Sequence, residues 1–145
     1  MNKSDQEMPE DLKLAKQRLR QKNLSLVIVK KDRVLFETSS HGIGDLLKAI
    51  NQLKNNMKGS SVADRIVGQA AALLFVFSGV RRVFAVTASD GGIKVLTNNS
   101  IPCEVETRVT NVLNLKKSDI CPFEKLVANL SDPEKAYEVL KAGCS

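Results

Sequence analysis

An α/β fold, in which helices cover both faces of a mixed sheet, is what three features of this sequence predict. Residues 26–29 and 83–86 are continuously apolar, as strands buried on both faces are. Between them, residues 61–79 carry a helix whose body is apolar on nearly every side, so it must lie inside the protein. Amphipathic helical spacing recurs before, between and after these segments. Strands alternating with helices in this way imply a three-layer α/β/α sandwich.

Each element has its own justification. A first helix is expected from Pro9 to about Asn23, with Met8, Leu12, Ala15 and Leu19 on one stripe and residues 1–8 frayed. Residues 24–30 and 33–38 form two strands, and Lys31-Asp32 makes the tight turn of an antiparallel hairpin. Ser39, Ser40, His41, Gly42 and Gly44 belong to a loop of small residues, followed by a helix carrying Leu46, Leu47, Ile50, Leu53 and Met57 at helical spacing. Ser61 is placed as the N-cap of the central helix with Asp64 at its third position, a variant capping box, and Ser78-Gly79 ends it. A third strand at 82–87 leads through the Gly91-Gly92 loop to a short helix at 93–96 and a fourth strand at 102–109. Residues 111–119 fit a short strand or an extended loop. Pro122 suits the first position of a helix over 121–130 capped by Cys121, and Asp132-Pro133-Glu134 opens the last helix in the same way.

Composition narrows the function classes. A chain of 145 residues with 43% hydrophobic content suffices for one domain, taken as 1–145, with a real core. Its apolar runs are too short to cross a bilayer, and its first residues lack the apolar core of a signal peptide, so a cytoplasmic protein is expected. Three widely spaced cysteines, Cys103, Cys121 and Cys144, argue for reduced thiols. The net charge of +6 is concentrated between Asp11 and Arg33, where eight basic residues face two acidic ones. Such a block is usually a solvated helix face; its other use is to bind nucleic acid or another polyanion.

Several segments resemble a known family: Val34-Leu-Phe-Glu37, Gly42-Ile-Gly-Asp-Leu-Leu47, Ala63-Asp-Arg-Ile-Val-Gly-Gln-Ala-Ala-Ala72, Cys121-Pro-Phe-Glu-Lys125 and Asp132-Pro-Glu-Lys-Ala-Tyr-Glu138. Together they are similar to an uncharacterised domain-of-unknown-function family of the cytidine deaminase-like superfamily. The resemblance implies that superfamily's core order: hairpin, helix, strand, helix, strand. Zinc deaminases carry H-x-E or C-x-E at one helix start and P-C-x-x-C at the next. With the central helix starting at Ser61, those positions fall on 62–65 and 89–92, which hold no imidazole or thiol. Pro102-Cys103 lacks a second cysteine at Glu106. No metal and no cofactor are therefore expected.

The resemblance also implies where a site would be. Asp64 stands at the mouth of the central helix, with Arg65 beside it to pair with it or to grip a phosphate or carboxylate. Cys121, at a helix start, is a candidate nucleophile, and Asp64 the candidate proton carrier. Ser39, Ser40, His41, Gly42 and Gly68 complete the ligand-binding set. The first expectation is a metal-free small-molecule binder or divergent enzyme with a nucleobase- or nucleotide-like ligand. The alternative is a nucleic-acid or protein interaction module using Lys16, Arg20 and Lys31. A homodimer through an exposed edge strand is the remaining expectation for partners.

Overall fold

The computed structural model describes residues 3–114 and 116–144, with side chains from residue 10 onward. Helix α1 (Lys3–Gln21) begins ahead of Pro9, earlier than expected. Ala15 and Leu19 are fully buried on its sheet-facing stripe and Leu12 packs beside them; Met8 on that stripe, and Met1 and Asn2, lie outside what is described. Strands β1 (Leu26–Lys30) and β2 (Arg33–Thr38) form the hairpin. Lys31 and Asp32 both have positive φ, 52° and 64°, which makes a type I′ turn. The buried Asp11 of α1 accepts hydrogen bonds from the N–H groups of both turn residues at 2.9 Å, locking the hairpin tip to the helix.

Helix α2 (Ile43–Leu53) follows, then a short 3-10 turn (Lys54–Met57). The next segment departs from expectation. Ser61–Val67 is a strand, β3, and the buried helix α3 (Gln69–Ser78) starts only after Gly68. The reason lies in the residues: Val62, Ile66 and Val67 are β-branched and favour extended backbone, whereas Ala70–Leu74 is a run of strong helix formers. Gly79, at φ 80°, ends α3 as expected. Strand β4 (Arg82–Ser89), helix α4 (Asp90–Asn98), strand β5 (Cys103–Val109) and helices α5 (Pro122–Val127) and α6 (Pro133–Gly143) complete the chain. Helix α4 is longer than the sequence suggested, because Ser89 Oγ caps it from the N–H of Gly92 at 3.0 Å; α5 is shorter. Between β5 and α5 an antiparallel bridge joins Leu113 to Ile120, with a turn at residues 116–119 between them.

The strands lie in the order β2-β1-β3-β4-β5, antiparallel from β2 to β3 and parallel from β3 to β5. Helix α1 covers one face, packing Ala15 and Leu19, with Leu24 just beyond its end, against Val27, Val29, Ala63 and Phe84. The other helices cover the opposite face, and α5 and α6 close over α3. That second cover explains why α3 is apolar all round: Ala70 to Phe75 are buried without a break. Burying a Leu- or Phe-sized side chain contributes about 1.5–3 kcal/mol, so α3 is the axis of the core.

Register fixes what faces what. Thr38, Leu26, Asp64, Ala85 and Val105 form one row across all five strands, on the face covered by α2 and α3. Arg65, one residue on, points to the α1 face. Among the described residues, no helix is long and apolar enough to cross a membrane.

Candidate functional site

Asp64 sits on the central strand of the sheet rather than in the first turn of a helix, which corrects its expected setting. Its Oδ1 accepts a hydrogen bond from the N–H of Ile66 at 3.2 Å, and among the described residues no cation forms an ion pair with it. Asp64 is half-buried, and its side chain lies on the face of the sheet covered by α2 and α3. Burial without a countercharge pushes its pKa up from 3.8 to about 7, with the N–H groups of Ile66 and Arg65 pulling weakly the other way. Ile66, two residues along the same face, is 51% exposed, so this end of the sheet is open.

The loop at 39–42 borders the same end. Ser25 Oγ, beside β1, donates to the carbonyl oxygens of Thr38, at 3.0 Å, and Ser40. Thr38 Oγ1 donates to Asp45 Oδ2 at 3.4 Å and accepts from the N–H of Ser40 at 3.1 Å. Ser39, Ser40, His41 and Gly42 are exposed, and Gly42 takes φ 112°, a conformation that suits glycine. The loop thus lies at the same end of the sheet as Asp64, two strands away, and among the described residues no hydrogen bond joins His41 to Asp64.

Arg65, Gly68 and Cys121 have other surroundings. The Arg65 guanidinium donates to the carbonyl of Leu24 at 2.7 Å, that of Leu19 at 3.4 Å and Asn23 Oδ1 at 3.0 Å. It thus satisfies the C-terminal end of α1, where a cation also complements the helix dipole. Gly68 has no room for a side chain: an added Cβ would overlap the Glu124 carboxylate, 2.5 Å from its Cδ, and lie 2.8 Å from Val112 Cγ2. Cys121 is the N-cap residue of α5, but its thiol makes no capping hydrogen bond. Asp64, Cys121 and His41 are not linked by any hydrogen bond among the described residues. Burial raises the Cys103 thiol to about 11, leaving it a poor nucleophile.

Two residues that the sequence reading passed over explain the start of α3. Glu124, from the first turn of α5, accepts hydrogen bonds from the N–H groups of Gln69 at 2.7 Å and Ala70 at 2.8 Å. The Gln69 amide reaches back to the carbonyls of Val127 at 2.8 Å and Leu130 at 3.2 Å. The two helix ends thus satisfy one another, and the mouth of α3 is closed. Burial raises the pKa of Glu124 against the pull of its two N–H donors. The available signal was Glu124 itself, an acid two residues after the helix-opening Pro122.

With β3 recognised, the helices that follow the hairpin are α2 and then α3. A zinc deaminase pattern would fall on 43–45 and 68–72, which offer Ile, Gly, Asp and then Gly, Gln and three Ala. Glu124 occupies the donors at the second start. These residues do not fit a zinc ion held by thiolate and imidazole. Among the described residues, no cluster of three or more His, Cys, Asp or Glu could hold a metal ion.

Two shallow grooves lie elsewhere. One, of about 520 Å³, runs beside Asn51, Lys54, Asn55, Lys58, Phe77 and Tyr137; the other, of about 390 Å³, lies between Gln69, Lys94 and Leu130. Neither is lined by Asp64, Cys121 or His41, and the second lies beside Gln69, the first residue of α3. Four of the eight basic residues of the block are committed to ion pairs. Lys16 pairs with Glu104, Arg20 with Glu106, and Arg18 and Lys22 with Glu37, at 2.8 and 3.5 Å.

Hairpin, α2, β3, α3, β4 is the order that the resemblance implies, and the five-stranded mixed sheet with helices on both faces makes this an α/β protein. The chain belongs to the domain-of-unknown-function family DUF1893 (TM1506), whose family model matches residues 14–143. It is similar to the crystal structure of a DUF1893 family protein (TM1506) from Thermotoga maritima, with 26% identity over 92% of this chain and 90% of that one, at a TM-score of 0.86. Weaker likenesses are to RibD from Acinetobacter baumannii, 21% identical over 71% of this chain and 35% of that one, TM-score 0.48, and to a dCMP deaminase from cyanophage S-TIM5, 15% identical over 72% of this chain and 99% of that one, TM-score 0.48. No curated protein matches the chain.

Proposed function

We propose that the protein binds a small nucleobase-like molecule, or acts on one, at the open end of the sheet that carries Asp64 and the Ser39–Ser40–His41–Gly42 loop. The observation that carries this reading is the Asp64 carboxyl itself: half-buried, without an ion pair among the described residues, on the central strand, beside the exposed Ile66 at an open end of the sheet. The structural acids are held by partners on other elements, whereas Asp64 accepts from N–H groups of its own strand. Asp11 and Glu124 each accept two backbone N–H groups, and Glu37 is held low by the hydrogen bond and charge of Arg18.

A carboxyl poised near neutrality presents one donor and one acceptor side by side. That pair complements the amide or amidine edge of a nucleobase, which a plain carboxylate does not. The same group can accept and return a proton at pH 7, so Asp64 is the proton carrier if a reaction follows. Arg65 and Gly68 are left with structural duties, and no contact supports Cys121 as a nucleophile.

Thermal unfolding of the wild type against a panel of nucleobases, nucleosides and nucleotides tests the proposal. A ligand at about a hundred times its Kd adds about 2.7 kcal/mol, a rise of about 5–10 °C for a chain this size. The expected result is such a rise in the wild type, lost in Asp64→Asn. A panel with no hit, or a hit that Asp64→Asn retains, overturns it.

A further inference from the structure

The opposite end of the sheet carries a different feature. Three segments meet there: the hairpin tip with Lys30, Lys31 and Arg33, the stretch after α2 with Lys54 and Lys58, and the α3–β4 turn with Arg81 and Arg82. Their contiguity is fixed by contacts. Lys30 Cε lies 4.0 Å from a Cβ built on Gly59, Lys58 packs on Gly79, and the N–H of Arg81 donates to the carbonyl of Ser60 at 2.8 Å. Ser61 then pairs with both Val29 and Arg82.

None of these seven cations forms an ion pair among the described residues, whereas those on α1 at Lys16, Arg18, Arg20 and Lys22 all do. The same segments contribute only Asp32 as an acid, and the nearby Asp11 spends both oxygens on the turn. The Nε of Arg82 is buried without a hydrogen-bond partner among the described residues, while unpaired positive charges gathered at one end of the sheet repel one another unless a polyanion is the partner. Beside them runs the groove of about 520 Å³, with Lys54 and Lys58 on its wall, the amides of Asn51 and Asn55, and the Tyr137 ring stacked on Phe77 at 4.3 Å.

We infer that this end is a binding surface for single-stranded nucleic acid: the cations track phosphates while the groove receives a base against the Tyr137–Phe77 pair. Amide side chains can pair with base edges, and an aromatic pair gives an unstacked base a platform. A duplex keeps its bases stacked and cannot use the groove. An anionic membrane fits less well, because the exposed large apolar side chains, Ile66, Leu113 and Leu126, lie elsewhere, leaving none here to insert.

Fluorescence anisotropy with a labelled single-stranded oligonucleotide and the full chain tests this. Each phosphate contacted contributes a log–log salt slope of about −0.7, so four contacts predict an about 50-fold loss of affinity between about 50 and 200 mM salt. The pair Lys54→Glu/Lys58→Glu and the pair Arg33→Glu/Arg81→Glu should each weaken binding about tenfold or more and flatten the slope. The pair Lys94→Glu/Lys117→Glu, equal in charge change but away from this end, should keep most of the affinity. Asp64→Asn should bind like the wild type, which separates this surface from the Asp64 end. No binding at low salt, equal loss in the Lys94/Lys117 pair, equally tight binding of a duplex, or binding to phosphatidylserine vesicles alone would overturn the inference.

Discussion

Replacing Glu124 by alanine is expected to lower the stability of this protein by about 2–4 kcal/mol. The carboxylate accepts the N–H groups of Gln69 and Ala70, donors at the start of the most buried helix in the structure. Removing it strands both, and each unsatisfied buried donor costs about 1–3 kcal/mol. Gly68→Ala should cost a similar amount by another route. Its backbone, at φ −104° and ψ −168°, suits alanine, so the penalty is steric: the new methyl group displaces the Glu124 carboxylate. Both substitutions thus remove the same cap, and their effects should not add. In a denaturant double-mutant cycle, Gly68→Ala should cost far less when Glu124 is already alanine, leaving only the crowding against Val112. Additive losses would show that the cap is not what holds α3 to α5.

Asp64→Asn is expected to act in the opposite sense and to stabilise the protein above neutral pH. The sign follows from linkage. A carboxyl whose pKa rises on folding favours the folded state fully below its unfolded pKa, near 3.8, and that contribution is lost as pH rises through about 7. Moving a carboxyl from 3.8 to about 7 corresponds to about 4 kcal/mol. Because Asp64 keeps partial exposure, that figure is a ceiling. Asparagine never ionises, so stability curves of the variant and the wild type should separate between pH 4 and 8, with Asp64→Asn the more stable at the upper end. A destabilisation by Asp64→Asn that does not change with pH would identify Asp64 as an ordinary hydrogen-bonding residue. Stability sacrificed to keep a charged group in place is what a functional site shows.

The layered fold was legible because its strongest signals are local. The apolar runs of β1 and β4, the Lys31-Asp32 turn and the Gly79 stop each follow from a few adjacent residues. The boundary between β3 and α3 was not, because Ser61 and Asp64 imitate a capping box at the spacing one requires. The alternation of Val62, Asp64 and Ile66, ended by Gly68, carried the correct signal. That error placed Asp64 and Arg65 at a helix mouth together, whereas strand geometry sends them to opposite faces. The roles of Arg65 and Glu124 rest on partners 41 and 54–55 residues away, which local pattern does not encode. The basic block was visible as composition, but which of its charges are neutralised depends on acids in β2 and β5.

The claim on which the functional reading stands is that Asp64 keeps its proton near neutral pH. Carbon-detected NMR of the side-chain carboxyl, followed from pH 3 to 9 and assigned by its disappearance in Asp64→Asn, measures this directly. A midpoint near 7 is the predicted result. A midpoint near 4, the value of a solvated aspartate, would contradict it and leave the open end of the sheet without a reason to be a site.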